Sequence, residues 1–168
     1  MVTKLIKHEN GKILEWKWAS DNTSKPSPIF TSVYYIDGIF IDAGAPAGVN
    51  DFRNFITSLI ETDKIKLCVL THTHEDHCGG AYILQKEFNI PVYTHEIVIE
   101  KLRSEYSYPQ YRQMAWGEKR LPVIADKVPD SRYVVFAGSS HMTPWDARDE
   151  NLKVVREFLH CVDSLNNQ

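Results

Sequence analysis

Thr71-His72-Thr73-His74-Glu75-Asp76-His77-Cys78-Gly79-Gly80 is the stretch on which the reading of this chain turns. Three imidazoles and an aspartate fall between positions 72 and 77. Ahead of them, Leu67-Cys68-Val69-Leu70 is a continuous apolar run. It predicts a strand over Lys66–Thr71 buried on both faces, because a strand between two covered faces has no polar alternation. Extended chain alternates its side chains, so His72, His74 and Asp76 are expected on one side, with His77 beside the next helix. Behind them, Gly79-Gly80 lets the backbone turn closely and leads into a short helix with Ala81, Leu84 and Phe88. Imidazole nitrogen and carboxylate oxygen are zinc donors at about 2.0–2.2 Å. The strand–loop–helix context, rather than the motif alone, makes 72–77 a metal-binding cluster, expected to take zinc. The same donors suit iron.

Outward from the cluster, the chain punctuates itself clearly. Asn10-Gly11 sits between the apolar-rich runs Val2–His8 and Lys12–Trp18 and signals a hairpin, since both residues tolerate positive φ. Trp16 and Trp18 alternate and share a face, which points to core. Asp21–Pro28 reads as a polar loop. Ser32–Asp37 and Ile39–Asp42 read as strands around Gly38, ended by Ala43-Gly44-Ala45-Pro46. Asn50 is placed as the N-cap of a helix with Phe52, Phe55, Ile56, Leu59 and Ile60 on one face. Downstream come a strand at Pro91–Thr94, a helix at Glu96–Arg103, and a strand at Arg132–Ala137. The helix from Asp149 to about Leu165 carries the stripe Leu152, Val155, Leu159 and Val162. Strands first, then alternating helices and strands, imply an α/β or α+β layered fold. The 168 residues suit one domain over 1–168.

Composition narrows the partners. A net charge of −3 and scattered basic residues, with Lys119-Arg120 the densest cluster, give no footprint for nucleic acid. No run has the apolar length of a membrane span, and the N-terminus lacks the features of a secretory signal. Cys68, Cys78 and Cys161 are odd in number and not closely spaced, which suits reduced thiols in a cytoplasmic protein. Cys68 and Cys161 read as small buried hydrophobes. Cys78 follows the cluster directly, where a thiol could approach a metal. Tyr106, Tyr108, Tyr111, Met114 and Trp116 make an aromatic stretch with two readings, pocket lining or core and dimer contact. His8 and His160 read as structural.

Residues 71–80 resemble the His-x-His-x-Asp-His signature of the metallo-β-lactamase superfamily. Tyr35-Ile36-Asp37-Gly38-Ile39-Phe40-Ile41-Asp42-Ala43-Gly44 is similar to the hairpin that family carries upstream, and Pro91-Val92-Tyr93-Thr94-His95-Glu96 to its next strand. The resemblance implies an αβ/βα sandwich with a metal site at one edge. It implies a zinc-dependent hydrolase of a small-molecule lactam, lactone, thioester, other ester or phosphoester, in which a metal-bound hydroxide attacks the substrate. It assigns His72 and His74 to a first metal and Asp76 and His77 to a second, with Asp76 also orienting the water as the catalytic carboxylate. One or two zinc ions are thus expected, with iron as the alternative in an oxygenase-like member.

The resemblance weakens downstream. No Pro-Gly-His loop lies between about Asp130 and Tyr133, where the family's third histidine belongs. Phe136-Ala137-Gly138 leads to Ser139 rather than to an aspartate, and no histidine follows the last helix. The fold is therefore expected to be incomplete at its C-terminal edge, and a homodimer is expected to cover the exposed sheet. His141 is the substitute ligand, unless it is a surface histidine beside Met142-Thr143-Pro144; Asp146 is a weaker substitute. Asp42 is expected to brace the metal loop through hydrogen bonds. His95 is expected either to support the site from its strand end or to be a plain surface histidine. The alternative to catalysis is a metal-binding or interaction protein derived from the family.

Overall fold

The computed structural model describes residues 2–20, 29–129 and 146–166. The chain divides into two compact units, Met1–Ser131 and Arg132–Gln168. In the first, seven strands form a single sheet in sequence order: β1 (Val2–His8), β2 (Ile13–Ala19), β3 (Phe30–Ile36), β4 (Ile39–Ile41), β5 (Leu67–Leu70), β6 (Val92–Thr94) and β7 (Asp126–Lys127). The first four are antiparallel neighbours, and β4 through β7 run parallel. This is the mixed α/β class that the alternation of elements predicts.

Local chemistry explains the change of direction. The hairpins are tight because Asn10 and Gly11, then Asp37 and Gly38, take positive φ. Parallel pairing instead needs crossovers. Helix α1 (Val49–Ile60) crosses from β4 to β5, and α2 (Glu75–Cys78) with α3 (Ala81–Lys86) from β5 to β6. Helices α4 (Glu96–Leu102) and α5 (Gln110–Trp116) lie between β6 and β7. Phe52, Phe55, Ile56 and Leu59 of α1 bury one stripe in a core with Trp16, Trp18, Phe40, Cys68 and Leu70.

Two expectations are corrected here. Asn50 is not the N-cap: α1 begins at Val49, with Gly48 in the cap position. A 3-10 turn at Pro46–Gly48 runs straight into the helix, and Asn50 Oδ1 accepts from Arg53 Nη1 at 2.6 Å instead. Strand β5 is not equally buried on both faces. Cys68 and Leu70 are sealed in the core, whereas Leu67 and Val69 are half-buried. Its unbroken apolar run therefore marks a strand with one sealed face and one partly covered face.

The second unit contains α6 (Arg148–Asn166). This is the helix read from the Leu152 stripe, with Asp149 and Glu150 in its first turn, where carboxylates favour the helix dipole. The strand expected at 132–137 lies outside the described residues.

Candidate metal centre

Parallel strands β4 and β5 end side by side, and the site is built on their carboxyl ends. Asp42 follows β4 with φ 64°, a conformation a short polar side chain tolerates. Its backbone N–H donates to Val69 O at 2.9 Å, fixing it to β5. The buried Asp42 carboxylate then gathers the start of the histidine turn. Thr71 donates from its N–H at 2.8 Å and from its hydroxyl at 2.9 Å, and His77 Nδ1 meets Oδ2 at 2.8 Å. Thr71 Oγ1 also lies 2.9 Å from His72 Nδ1.

The turn closes because glycine allows it. A Cβ on Gly79 would overlap the Pro46 ring and Glu75 O, and one on Gly80 would overlap Ala43 O. Ala43 N–H donates to His77 O at 2.6 Å, and Thr31 Oγ1 to Asp76 O at 2.5 Å. The His72 ring centroid consequently lies 4.7 Å from that of His74 and 4.2 Å from that of His77.

Asp76 departs from the extended-chain expectation. Glu75–Cys78 is a helical turn with His74 in its cap position, so the strand alternation ends at His74. Asp76 Oδ2 lies 3.6 Å from His77 Nε2, and Asp76 Oδ1 accepts from Arg112 Nη2 at 3.3 Å. The Arg112 Nε also pairs with the buried Glu75. Arg112 comes from α5, 36 positions from Asp76, and sequence reasoning missed it. The available signal was two adjacent carboxylates in a turn packed against a core, which require a cation.

Electrostatics prepare the rings unequally. Burial holds the His72 imidazole down to about 4, and the charges of His77 and His74 act the same way. His72 is thus neutral, the form that ligates metal. For His77, burial opposes charge, but the hydrogen bond and charge of Asp42, then Asp76 and Glu75, outweigh it and raise the value. Burial first of all pushes the Cys78 thiol up to about 12, and its Sγ donates to Thr73 O at 3.3 Å. In this structure the Cys78 thiol is buried and occupied with that carbonyl.

The donor types fit a metal: imidazoles, a carboxylate, and Nδ1 contacts on His72 and His77 that would direct ligation through Nε2. The placement is less closed than the motif suggests. Among the described residues, no group of three or more His, Cys, Asp or Glu side chains is arranged to hold a metal ion. His72, His74, Asp76 and His77 are brought to one turn, with Asp42 beneath them. His95 caps α4, its Nδ1 accepting from Ile97 N–H at 3.3 Å. His141 lies outside the described residues, and Asp146 belongs to the second unit. His8 holds Glu15 at 2.9 Å on the antiparallel half.

The fold and the turn together define an α/β protein with a histidine–carboxylate site at the carboxyl ends of parallel strands. This chain belongs to the metallo-beta-lactamase superfamily, whose family model matches residues 27–147. Over 57 residues it is 42% identical to ribonuclease J 1 of Streptococcus pyogenes serotype M3, covering 34% of this chain and 10% of that protein. Over 49 residues it is 35% identical to "Probable metallo-hydrolase YybB" of Bacillus subtilis, covering 29% of this chain and 22% of that one. A metallo-beta-lactamase from Pontibacter korlensis superposes with a TM-score of 0.53 at 16% identity, over 82% of this chain and 57% of that one. A mutant flavo di-iron protein from Thermotoga maritima gives 0.53 at 13% identity, over 70% and 35%. These structural likenesses show the fold alone. The chain matches only a small part of the length of its curated relatives. Among the described residues, no helix is long and apolar enough to cross a membrane.

Proposed function

We propose that the protein is a zinc-dependent hydrolase of a small-molecule ester, lactone, thioester, lactam or phosphoester. The observation that carries this reading is the gathering of the His72, His74 and His77 rings within 4.2–4.7 Å, over a buried Asp42 that fixes His77. His72 and His74 would hold one metal, and Asp76 and His77 a second. A metal held there would supply Lewis acidity, to polarise a substrate oxygen and to lower the pKa of water to about 7. The chain's own contribution is positional. Asp42 orients His77, Thr71 orients His72, and Arg112 holds Asp76 at the edge of the turn, where its carboxylate can accept a proton. Glu75, sealed beneath the turn, keeps Arg112 in place.

The family match runs from the first compact unit into the second, which supports reading 1–168 as one domain. Exposed Phe30, Tyr34 and Ile36 on one face of β3 support a homodimer, and light scattering at micromolar concentration giving a monomer would remove it. The reduced-thiol reading of the cysteines supports a cytoplasmic location.

The test is hydrolysis of a panel of generic lactones, thioesters, lactams, carboxylic esters and phosphodiesters by protein loaded with zinc. Turnover of at least one class, abolished by His74→Ala and by Asp76→Ala, is expected. Turnover unchanged in both variants sinks the assignment. A second reading, a non-catalytic metal-binding or interaction protein of the same family, is favoured by the lack of a coordinating group among the described residues. It predicts no turnover on any class and no metal in protein purified without added metal.

A further inference from the structure

Beside the histidine turn lies a cavity of about 490 Å³, walled by His74 and Glu75 on one side and by the 101–120 segment on the other. Its described lining carries three cations, Lys101, Arg112 and Arg120, against one carboxylate, Glu75, and that carboxylate already pairs with Arg112. Arg120 is 2% exposed, yet its guanidinium donates only to the neutral carbonyls of Leu102, Lys101 and Ser104. Among the described residues, its Nε has no hydrogen-bond partner. Tyr108, 3% exposed, lines the same cavity, and its hydroxyl is likewise without a partner.

Buried polar groups are almost always satisfied, and a buried charge is normally paired. Two exceptions on residues that line one cavity single it out as a place for a ligand. The chemistry of the pair fixes the ligand's sign. Arg Nε–H can only donate, and a phenol at neutral pH offers its proton. A group that accepts from both and balances the surplus positive charge is an oxyanion. The Tyr106 ring, 6.1 Å from that of Tyr108, adds an aromatic wall suited to a flat body behind that anion.

We propose that this cavity binds the oxyanion end of the substrate, a carboxylate or a phosphate, through Tyr108 and Arg120, with Lys101 as a further cation on its wall. Calling that ligand the substrate rests on the hydrolase reading above; the anion site itself does not.

The test uses the full chain with a chelator present, so that no metal can hold the anion. Benzoate and phenyl phosphate are titrated by calorimetry, with benzyl alcohol as the uncharged counterpart. At least one anion is expected to bind, with benzyl alcohol at least about tenfold weaker. The stronger of the two anions names the source, carboxylate or phosphate. Arg120→Met risks the fold, because Arg120 also ties down the end of α4. Tyr108→Phe removes a single oxygen and is expected to weaken binding about tenfold. Lys101→Met, at an exposed position, is expected to weaken it severalfold and to flatten its salt dependence. Absence of binding by both anions at millimolar concentration means that water alone fills the cavity and overturns the proposal. Equal binding of benzyl alcohol, or wild-type binding by both variants, overturns it as well. Anion binding without turnover on any ester class would fault the hydrolase reading and leave this site standing.

Discussion

On one flank of the histidine turn, a buried carboxylate holds imidazole and hydroxyl: Asp42 reaches Thr71 at 2.8 and 2.9 Å and His77 at 2.8 Å, all between adjacent strand ends. On the other flank, a half-buried cation holds carboxylates: Arg112 arrives from α5 to pair with Glu75 and Asp76. The first flank is part of the sheet and inherits its rigidity. The second depends on a short helix outside the sheet, which packs on it through Trp116 against Trp18 of β2. If the turn holds metal as proposed, the flanks would act oppositely on it: Asp42 would raise the basicity of the His77 ring through its other nitrogen, whereas Arg112 would compete with metal for the Asp76 carboxylate.

Asp42→Ala should give the largest effect. It removes a buried carboxylate that meets the Thr71 N–H, the Thr71 hydroxyl and His77 Nδ1, and urea unfolding should show a loss of about 3 kcal/mol. Zinc affinity, measured by competition with a chromogenic chelator, should fall about 10–100-fold. A loss within about 0.5 kcal/mol would mean that the sheet does not hold this flank through Asp42. Arg112→Met should cost less, about 2 kcal/mol, because Glu75 stays buried without its cation. Zinc affinity should move the other way, rising about threefold to tenfold as a competing positive charge leaves Asp76. If both variants shift zinc affinity in the same direction, the contrast between the flanks is wrong.

A third change, away from both flanks, sets the baseline. Ser32 donates to Glu15 at 2.7 Å, and that hydrogen bond is the largest cause of a lowered Glu15 pKa. A lowered folded-state value contributes stability above the unfolded value of about 4.3 and loses it as pH falls through the folded value. Ser32→Ala should therefore cost about 1 kcal/mol or less near neutrality and flatten the acid limb of the stability curve. Zinc content should not change.

The two flanks differ equally in how far sequence reveals them. The sheet flank was readable, because its signals are local: an apolar run into β5, a Gly38 hairpin ending at Asp42, and histidines next to paired glycines. The arginine flank was not. Its contacts span 36 and 37 positions, and within α5 only Ala115 and Trp116 are buried, too short a stripe to declare a helix. Asp76 was misdirected for a related reason. Strand alternation was carried through a segment that the Gly79–Pro46 approach forces into a helical turn. Glu75 was passed over because a carboxylate buried in a turn becomes sensible only once its cation is known.

The central claim is that this turn holds metal, and metal content tests it most directly. Elemental analysis of protein purified without added metal should find about one or two zinc ions per chain, reduced in both His74→Ala and Asp76→Ala. Iron in their place would correct the metal and keep the site. Metal absent from the wild type after incubation with zinc, or retained in full by both variants, would contradict the account.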